Sequence, residues 1–206
     1  MEKKCKLCRA EGQKLFLKGS RCYSDKCSIS RRQNGPGQHG ANRKKTSEYG
    51  LQLRAKQKAK RYYGILEKQF RHYYNLALKI KEGKTGENML SLIERRLDNV
   101  VYRLGWASSR IQARQFTTHG NICVDGVRVN IPSFSVKEGS KITISDRGKK
   151  NELLKNLISE YAKRNHPKWL KFDDNEHFQA QVLALPHRED IDLEIDETLI
   201  VELYSK

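Results

Sequence analysis

A chain of 206 residues with net charge +17, 37% hydrophobic and 32% charged, is long enough for one or two domains with their own cores, yet it is more polar than an average globular domain. An excess of cation on this scale implies a polyanionic partner, with nucleic acid foremost. No apolar run reaches the ~18 residues of a membrane span, and "MEKKCKLC" has basic residues with no apolar stretch of a secretory signal after them, so the expectation is a cytosolic chain with reduced thiols and no membrane partner.

The charge is unevenly placed. Residues 1–90 carry 23 Lys/Arg against 7 Asp/Glu, residues 91–150 carry 11 against 5, and residues 151–206 carry 7 against 12. The basic first part reads as an electrostatic footprint on nucleic acid, and the acidic end must face something else.

Four of the five cysteines open the chain as C-x2-C-x13-C-x4-C, at Cys5, Cys8, Cys22 and Cys27. Two close pairs joined by a short loop suit a tetrahedral thiolate cage around one Zn²⁺, whose binding would stand in for a missing apolar core. An iron–sulfur cluster uses the same ligands, and free or redox thiols are the remaining reading. Cys123, alone in a strand-like run, reads as a small buried hydrophobe.

After Cys27, "SISRRQNGPGQHGANRKKTSEYG" holds glycines at 35, 37 and 40 beside Pro36 and reads as a turn-rich loop. Ala41 and Asn42 stand where a nucleotide-binding loop needs Lys and Ser/Thr, so nucleotide hydrolysis is not supported. The segment reads instead as a basic arm offering Arg31, Arg32, His39, Arg43, Lys44 and Lys45 to phosphates. From Ser47 the period turns helical: Leu51, Ala55, Ala59 and Tyr62 form one stripe, Arg54, Lys58 and Arg61 another that is expected to face RNA, and Gly64 is the stop. Leu66, Phe70, Tyr73, Ala77 and Ile80 repeat at core spacing, which favours packing over base stacking. "KEGKTGEN" at 81–88 reads as a linker.

In residues 89–130, Leu90, Ile93, Leu97, Val100 and Leu104 predict one apolar helix face ending at Gly105, with Arg96, Asn99 and Arg103 on another that is expected to face RNA. Ser108 or Ser109 caps a second helix carrying Arg110 and Arg114, which Gly120 ends. "NICVDGVRVN" predicts a hairpin turning on Asp-Gly, with Ile122, Val124, Val127 and Val129 inward and Arg128 outward. "SKITIS" predicts a further strand.

"ERRLDNVVYRLGWASSRIQARQFTTHGNICVDG" resembles the RNA-binding module named after small-subunit ribosomal protein S-four. "CYSDKCSISRRQNGPGQHG", "SEYGLQLRAKQKAKRYYGILEKQFRHYY" and "LPHREDIDLEIDETLIVELYSK" extend the resemblance to the bacterial S-four family over nearly the whole chain. It implies an α+β fold: an N-terminal zinc-binding module and basic loop (1–45), a mainly helical domain (46–90) completed by the C-terminal tail, an RNA-binding module of helices packed on a small antiparallel sheet (91–175), and a C-terminal strand and acidic tail (176–206). It also implies binding to the 5′ domain junction of small-subunit (16S) ribosomal RNA, nucleation of the subunit body, contact with ribosomal protein S-five and neighbouring small-subunit proteins, an influence on translational accuracy, and in some members repression of the protein's own messenger RNA. Arg96, Arg103, Arg110, Arg114 and His119 match the module's RNA-facing positions. Glu189, Asp190 and Asp192 in the tail are the candidates for the S-five contact. Many members lack the cysteines, so the zinc reading rests on their spacing here. The same module occurs in pseudouridine synthases and tyrosyl-tRNA synthetases, but no catalytic domain accompanies it in this chain. A zinc-containing DNA-binding regulator would want a dimerisation seam or a recognition helix, and neither is evident.

Overall fold

A computed structural model describes residues 3–41, 45–161, 166–173 and 175–205. In chain order the helices are α1 (Lys4–Glu11), α2 (Ser28–Arg31), α3 (Glu48–Tyr63), α4 (Glu67–Ala77), α5 (Thr85–Glu94), α6 (Leu97–Arg103) and α7 (Arg110–Thr118). Strands β1 (Ile122–Val124), β2 (Val127–Arg128) and β3 (Lys141–Ile144) follow, then α8 (Asp146–Lys149), α9 (Glu152–Tyr161), β4 (Leu170–Phe172), β5 (Gln179–Val182) and α10 (Glu197–Ser205). Two units result, Met1–Gly86 with Leu193–Lys206, and Glu87–Asp192. Residues 1–45 therefore lie in one unit with α3, α4 and α10, and residues 176–192 lie in the unit that holds the sheet.

In the first unit the ends of α3 are chemically marked. The Ser47 hydroxyl accepts the Gly50 amide at 3.2 Å, and Gly64 takes φ +66, the left-handed conformation that closes a helix without a Cβ clash. Of the predicted stripe, Ala59 and Tyr62 are buried while Leu51 is exposed. On α4, Phe70, Tyr73 and Ala77 are buried but Leu66 and Ile80, at its margins, are exposed. The stretch read as a linker is shorter than expected, since α5 begins at Thr85.

The C-terminal helix α10 packs on α3. Gln52, 1% exposed, donates to the Glu202 carboxylate at 2.9 Å. Glu67 receives Lys56 at 2.9 Å, Lys60 at 3.0 Å and the Tyr204 hydroxyl at 2.9 Å, and the Tyr204 ring lies 4.8 Å from that of Tyr74. Partial burial by itself would raise the Glu67 carboxyl, but these bonds outweigh it and hold it at about 2, below the ordinary 4.5. Burial, then the Glu67 carboxylate, pushes Tyr204 above its ordinary 10. A depressed carboxyl stabilises the fold above its unfolded pKa and loses that contribution as pH falls through the folded one. A raised phenol contributes below its unfolded pKa and loses that contribution above the folded one. Docking of α10 should therefore be strongest between about 4.5 and 10. In urea melts across pH, the stability difference between wild type and Glu67→Gln should shrink as pH drops from 4.5 towards 2. A difference independent of pH would detach this cluster from the docking.

The second unit is built on an antiparallel sheet of order β2-β1-β3-β5-β4. Asp125 and Gly126 have φ of +50 and +82, the two positive values of a type I′ turn. Ile122 and Val124 point into the core as predicted and Arg128 outward. Val127, expected inside, is 68% exposed because β2 is a two-residue edge strand. Cys123 in β1 is half-buried. The core packs Leu97, Leu104, Trp106, Phe116, Ile122, Ile142 and Leu154, and the Trp106 indole donates to the His177 carbonyl at 2.7 Å.

The single helix expected through residues 90–104 is two. At Arg96 the backbone turns extended (φ −65, ψ 136) and bridges to Ser135. The Leu97 amide donates to Phe134 at 2.8 Å and the Val136 amide to Arg95 at 2.9 Å. Pairing with the 132–136 segment outcompetes helix propensity there, and it rotates everything that follows.

Candidate nucleic-acid interface and cysteine cluster

That break decides where the predicted arginines go. Arg96, 3% exposed, forks onto Asp98 with Nε–Oδ1 of 3.0 Å and Nη2–Oδ2 of 2.6 Å. Asn99 is buried: its amide donates to the Glu94 carbonyl at 3.0 Å and carboxylate at 2.5 Å, while its oxygen accepts Arg110 Nε at 2.8 Å. The Arg110 guanidinium also sits 4.4 Å from the Tyr102 ring centre, a cation–π contact, and is buried. Arg103 grips Glu94 through Nε at 3.1 Å and Nη2 at 2.8 Å, and its other nitrogen bonds Asp192. These four predicted RNA contacts are therefore engaged with their own chain. They fix the angles among α5, α6 and α7 rather than project from them.

The same helices present a second set outward. Ser109 accepts the Gln112 amide at 3.4 Å and so starts α7, which carries exposed Arg114 and ends at exposed His119. Arg128 on β2 donates to the His119 carbonyl at 3.2 Å. Its guanidinium lies over Gly120, where an added Cβ would fall 2.2 Å from Nε. Gly120 also has φ +68, so backbone chirality favours glycine here, whereas the exposed Arg128 side chain could swing away from a Cβ. Ser145 bonds the Asn121 carbonyl through its amide at 2.8 Å and the Gly120 carbonyl through its hydroxyl at 3.3 Å. This tethers α8, with exposed Arg147, beside the group. Arg147 was not among the residues singled out from sequence. Its only signal was the basic run "DRGKK" directly after the strand predicted at "SKITIS".

In the first unit Arg31, Arg32, His39 and Lys45 are exposed, and Arg43 and Lys44 lie outside the described residues. Arg54 and Arg61 both pair with Glu11, whose side chain is only 2% exposed, and Lys58 donates to the Glu194 carbonyl. The α3 cations expected to face RNA thus first satisfy acceptors of their own unit.

The four N-terminal cysteines line one cavity of about 20 Å³, room for a single small ion or water. Among the described residues no group of three or more His, Cys, Asp or Glu side chains is arranged to hold a metal ion. The donor chemistry nevertheless fits one. Burial pushes the Cys8 and Cys22 thiols up, partly offset by amide donors from Leu15 and Lys18, the latter 3.3 Å from Cys22 Sγ. Burial acts the same way on Cys27, but the amides of Ile29 and Ser30 with the charge of Lys14 outweigh it and lower the thiol. Charge on Cys5, Cys22 or Cys27 also makes Cys8 harder to ionise. Four thiolates can share this cavity only around a cation.

In the tail, Glu189 is exposed and Asp190 accepts the His187 amide at 3.0 Å. Both line a cleft of about 640 Å³ with Trp169, Ala184, Leu185 and Arg188. Asp192 is exposed and tied to Arg103.

Comparison with known proteins gives consistent matches. A model of the ribosomal protein S4/S9 N-terminal domain matches residues 1–94, and a model of the S4 domain matches residues 95–142. Small ribosomal subunit protein uS4A of Alkaliphilus oremlandii is 58% identical over 202 residues, covering 98% of this chain and 96% of that one. The uS4 proteins of Acetivibrio thermocellus and Clostridium tetani are each 57% identical, over 98% and 100% of this chain and 96% and 98% of theirs.

Proposed function

Because the chain belongs to the uS4 family of small ribosomal subunit proteins, structural RNA-binding constituents of the ribosome and not enzymes, we propose that it is a primary binder of small-subunit ribosomal RNA that grips a multi-helix junction of the 5′ domain and nucleates the subunit body. The observation that carries this reading is the exposed group Arg114, His119, Arg128 and Arg147, held on a scaffold whose own cations are already paired. RNA duplexes hide their bases in a deep major groove, so such a surface reads backbone and shape. The remaining parts support the same role. One structural Zn²⁺ on Cys5, Cys8, Cys22 and Cys27 would fasten α1 and α2 and hold Glu11, and through it Arg54 and Arg61. Glu189, Asp190 and Asp192, at a partly apolar cleft, suit the rim of a contact with ribosomal protein S-five, where charge favours orientation more than affinity. Binding to the protein's own messenger RNA would use the same surface as the ribosomal RNA.

Arg114→Ala combined with Arg128→Ala should weaken binding to protein-free small-subunit ribosomal RNA and flatten its salt dependence by roughly 1.5 units of slope, at about 0.7–0.9 per phosphate contact. The far-UV spectrum should not change and the melting point should change little, since both side chains are exposed and the one bond lost, from Arg128 to the His119 carbonyl, is itself at the surface. Unchanged affinity and slope would take this surface out of the RNA site.

A further inference from the structure

The loop around Pro36 is folded onto α1 instead of being an open arm. Arg9 donates to the Asn34 carbonyl at 2.9 Å and the Gly35 carbonyl at 2.8 Å. Within the loop the Gly35 amide bonds Gly40 at 3.1 Å and the Gly40 amide bonds Gly37 at 3.3 Å. Gly40 is sterically required: an added Cβ would fall 2.1 Å from the Gly35 oxygen. Gly37 has φ +93 with open space where a Cβ would stand, so its backbone is bare on that side. Between this closed loop and the helices runs a cleft of about 520 Å³, lined by Lys3, Lys6 and Leu7 at α1, Pro36 and Gly37 of the loop, and Arg61 of α3.

Every charged residue that lines the cleft is basic. Arg61 is held by the buried carboxylate of Glu11, which keeps its guanidinium at the wall. Lys3 and Lys6, beside an Arg61 whose charge is partly offset by Glu11, line a concave, partly apolar surface that focuses their field on an anion more than an open lysine face would. No aromatic residue lines the cleft, so it offers no platform for a stacked base. We propose that this cleft is a phosphate subsite that seats the backbone of one RNA strand, with Lys3 and Lys6 as point charges, Arg61 as the planar fork and the bare Gly37 backbone allowing close approach. It contributes affinity and register but no base specificity. The proposal rests on the RNA-binding reading above and adds a contact region in the first unit.

The test is the full-length Lys3→Gln, Lys6→Gln protein, titrated with protein-free small-subunit ribosomal RNA across a salt series. Loss of two phosphate contacts should lower the salt slope by roughly 1.5, so the affinity lost between 50 and 200 mM salt shrinks by about eightfold. An unchanged slope in this variant, while Arg114→Ala with Arg128→Ala still lowers it, overturns the cleft and leaves the RNA-binding reading standing. A wild-type protein that does not bind the RNA overturns both. Saturation of a Gly37 amide shift by inorganic phosphate alone, with the RNA slope unaltered in the double variant, overturns the RNA assignment in favour of a free anion.

Discussion

A chelator added to the purified protein is expected to remove one zinc and to unfold the segment containing α1 and α2 while the Glu87–Asp192 unit stays folded. Apart from its cysteines, the large apolar side chains this segment buries are Leu7, Leu15 and Leu17. Its helices span eight and four residues, far below the ~12–15 at which an isolated helix becomes even marginal. Structural zinc supplies about 10–16 kcal/mol in finger peptides at neutral pH, more than three leucines can contribute at about 1.5–3 kcal/mol each. The other unit has its own core around Trp106 and contains no member of the cysteine cluster. Amide exchange resolves the two: protection at Cys8, Leu15 and Cys22 should vanish with the metal, and protection in β1 and β3 should persist. The purified protein should carry about one zinc per chain. A protein without zinc whose four thiols react freely in the native state, or full protection after complete metal removal, would refute the metal assignment. Chelation should also weaken RNA binding, since Lys3, Lys6 and Glu11 lie in or beside the segment released.

What the sequence made legible was local. Ser47, Ser109, Gly64 and the Asp125–Gly126 pair each act within a few residues, through a cap or a positive φ, and each sits in the structure where its chemistry puts it. The arginines were harder to place. Whether Arg96, Asn99 and Arg110 face solvent depends on the break at Arg96, and that break depends on a segment beyond the whole hairpin, residues 132–136. A 3.6-residue period run through residues 90–104 cannot register such an interruption, so it puts buried cations on a surface. Val127 failed for a related reason. Alternation gives the face of a side chain but not whether its strand ends up at an edge. The cleft beside Pro36 had a sequence signal, the three glycines, but Arg9, which fastens the loop, gave none.

Glu94→Ala should be among the most damaging single substitutions in the second unit. The Glu94 carboxylate is 1% exposed and accepts two bonds from Arg103 and one from Asn99, which in turn orients Arg110. Deleting one member of a buried pair leaves the other charge desolvated, at a cost of about 3–5 kcal/mol. The exposed Asp192 still bonds Arg103, which favours the lower end. For a unit near 100 residues, about 3 kcal/mol lowers Tm by roughly 12–24 °C. Glu94→Gln keeps the shape and two of the hydrogen-bonding roles, so it should cost less, about 1–3 kcal/mol. The readout that separates a positioning role from bulk stability is RNA binding at a temperature where each variant is still folded. In the Ala variant the Asn99 amide loses its side-chain acceptor, so its hold on Arg110 loosens and the start of α7, with Arg114 and His119, is aimed less well; that variant should bind more weakly while its salt slope stays that of wild type. A slope reduced by a full contact would mean that Glu94 or its partners meet the RNA directly. Wild-type affinity in the folded Ala variant would mean that the buried network stabilises the unit without aiming its basic surface.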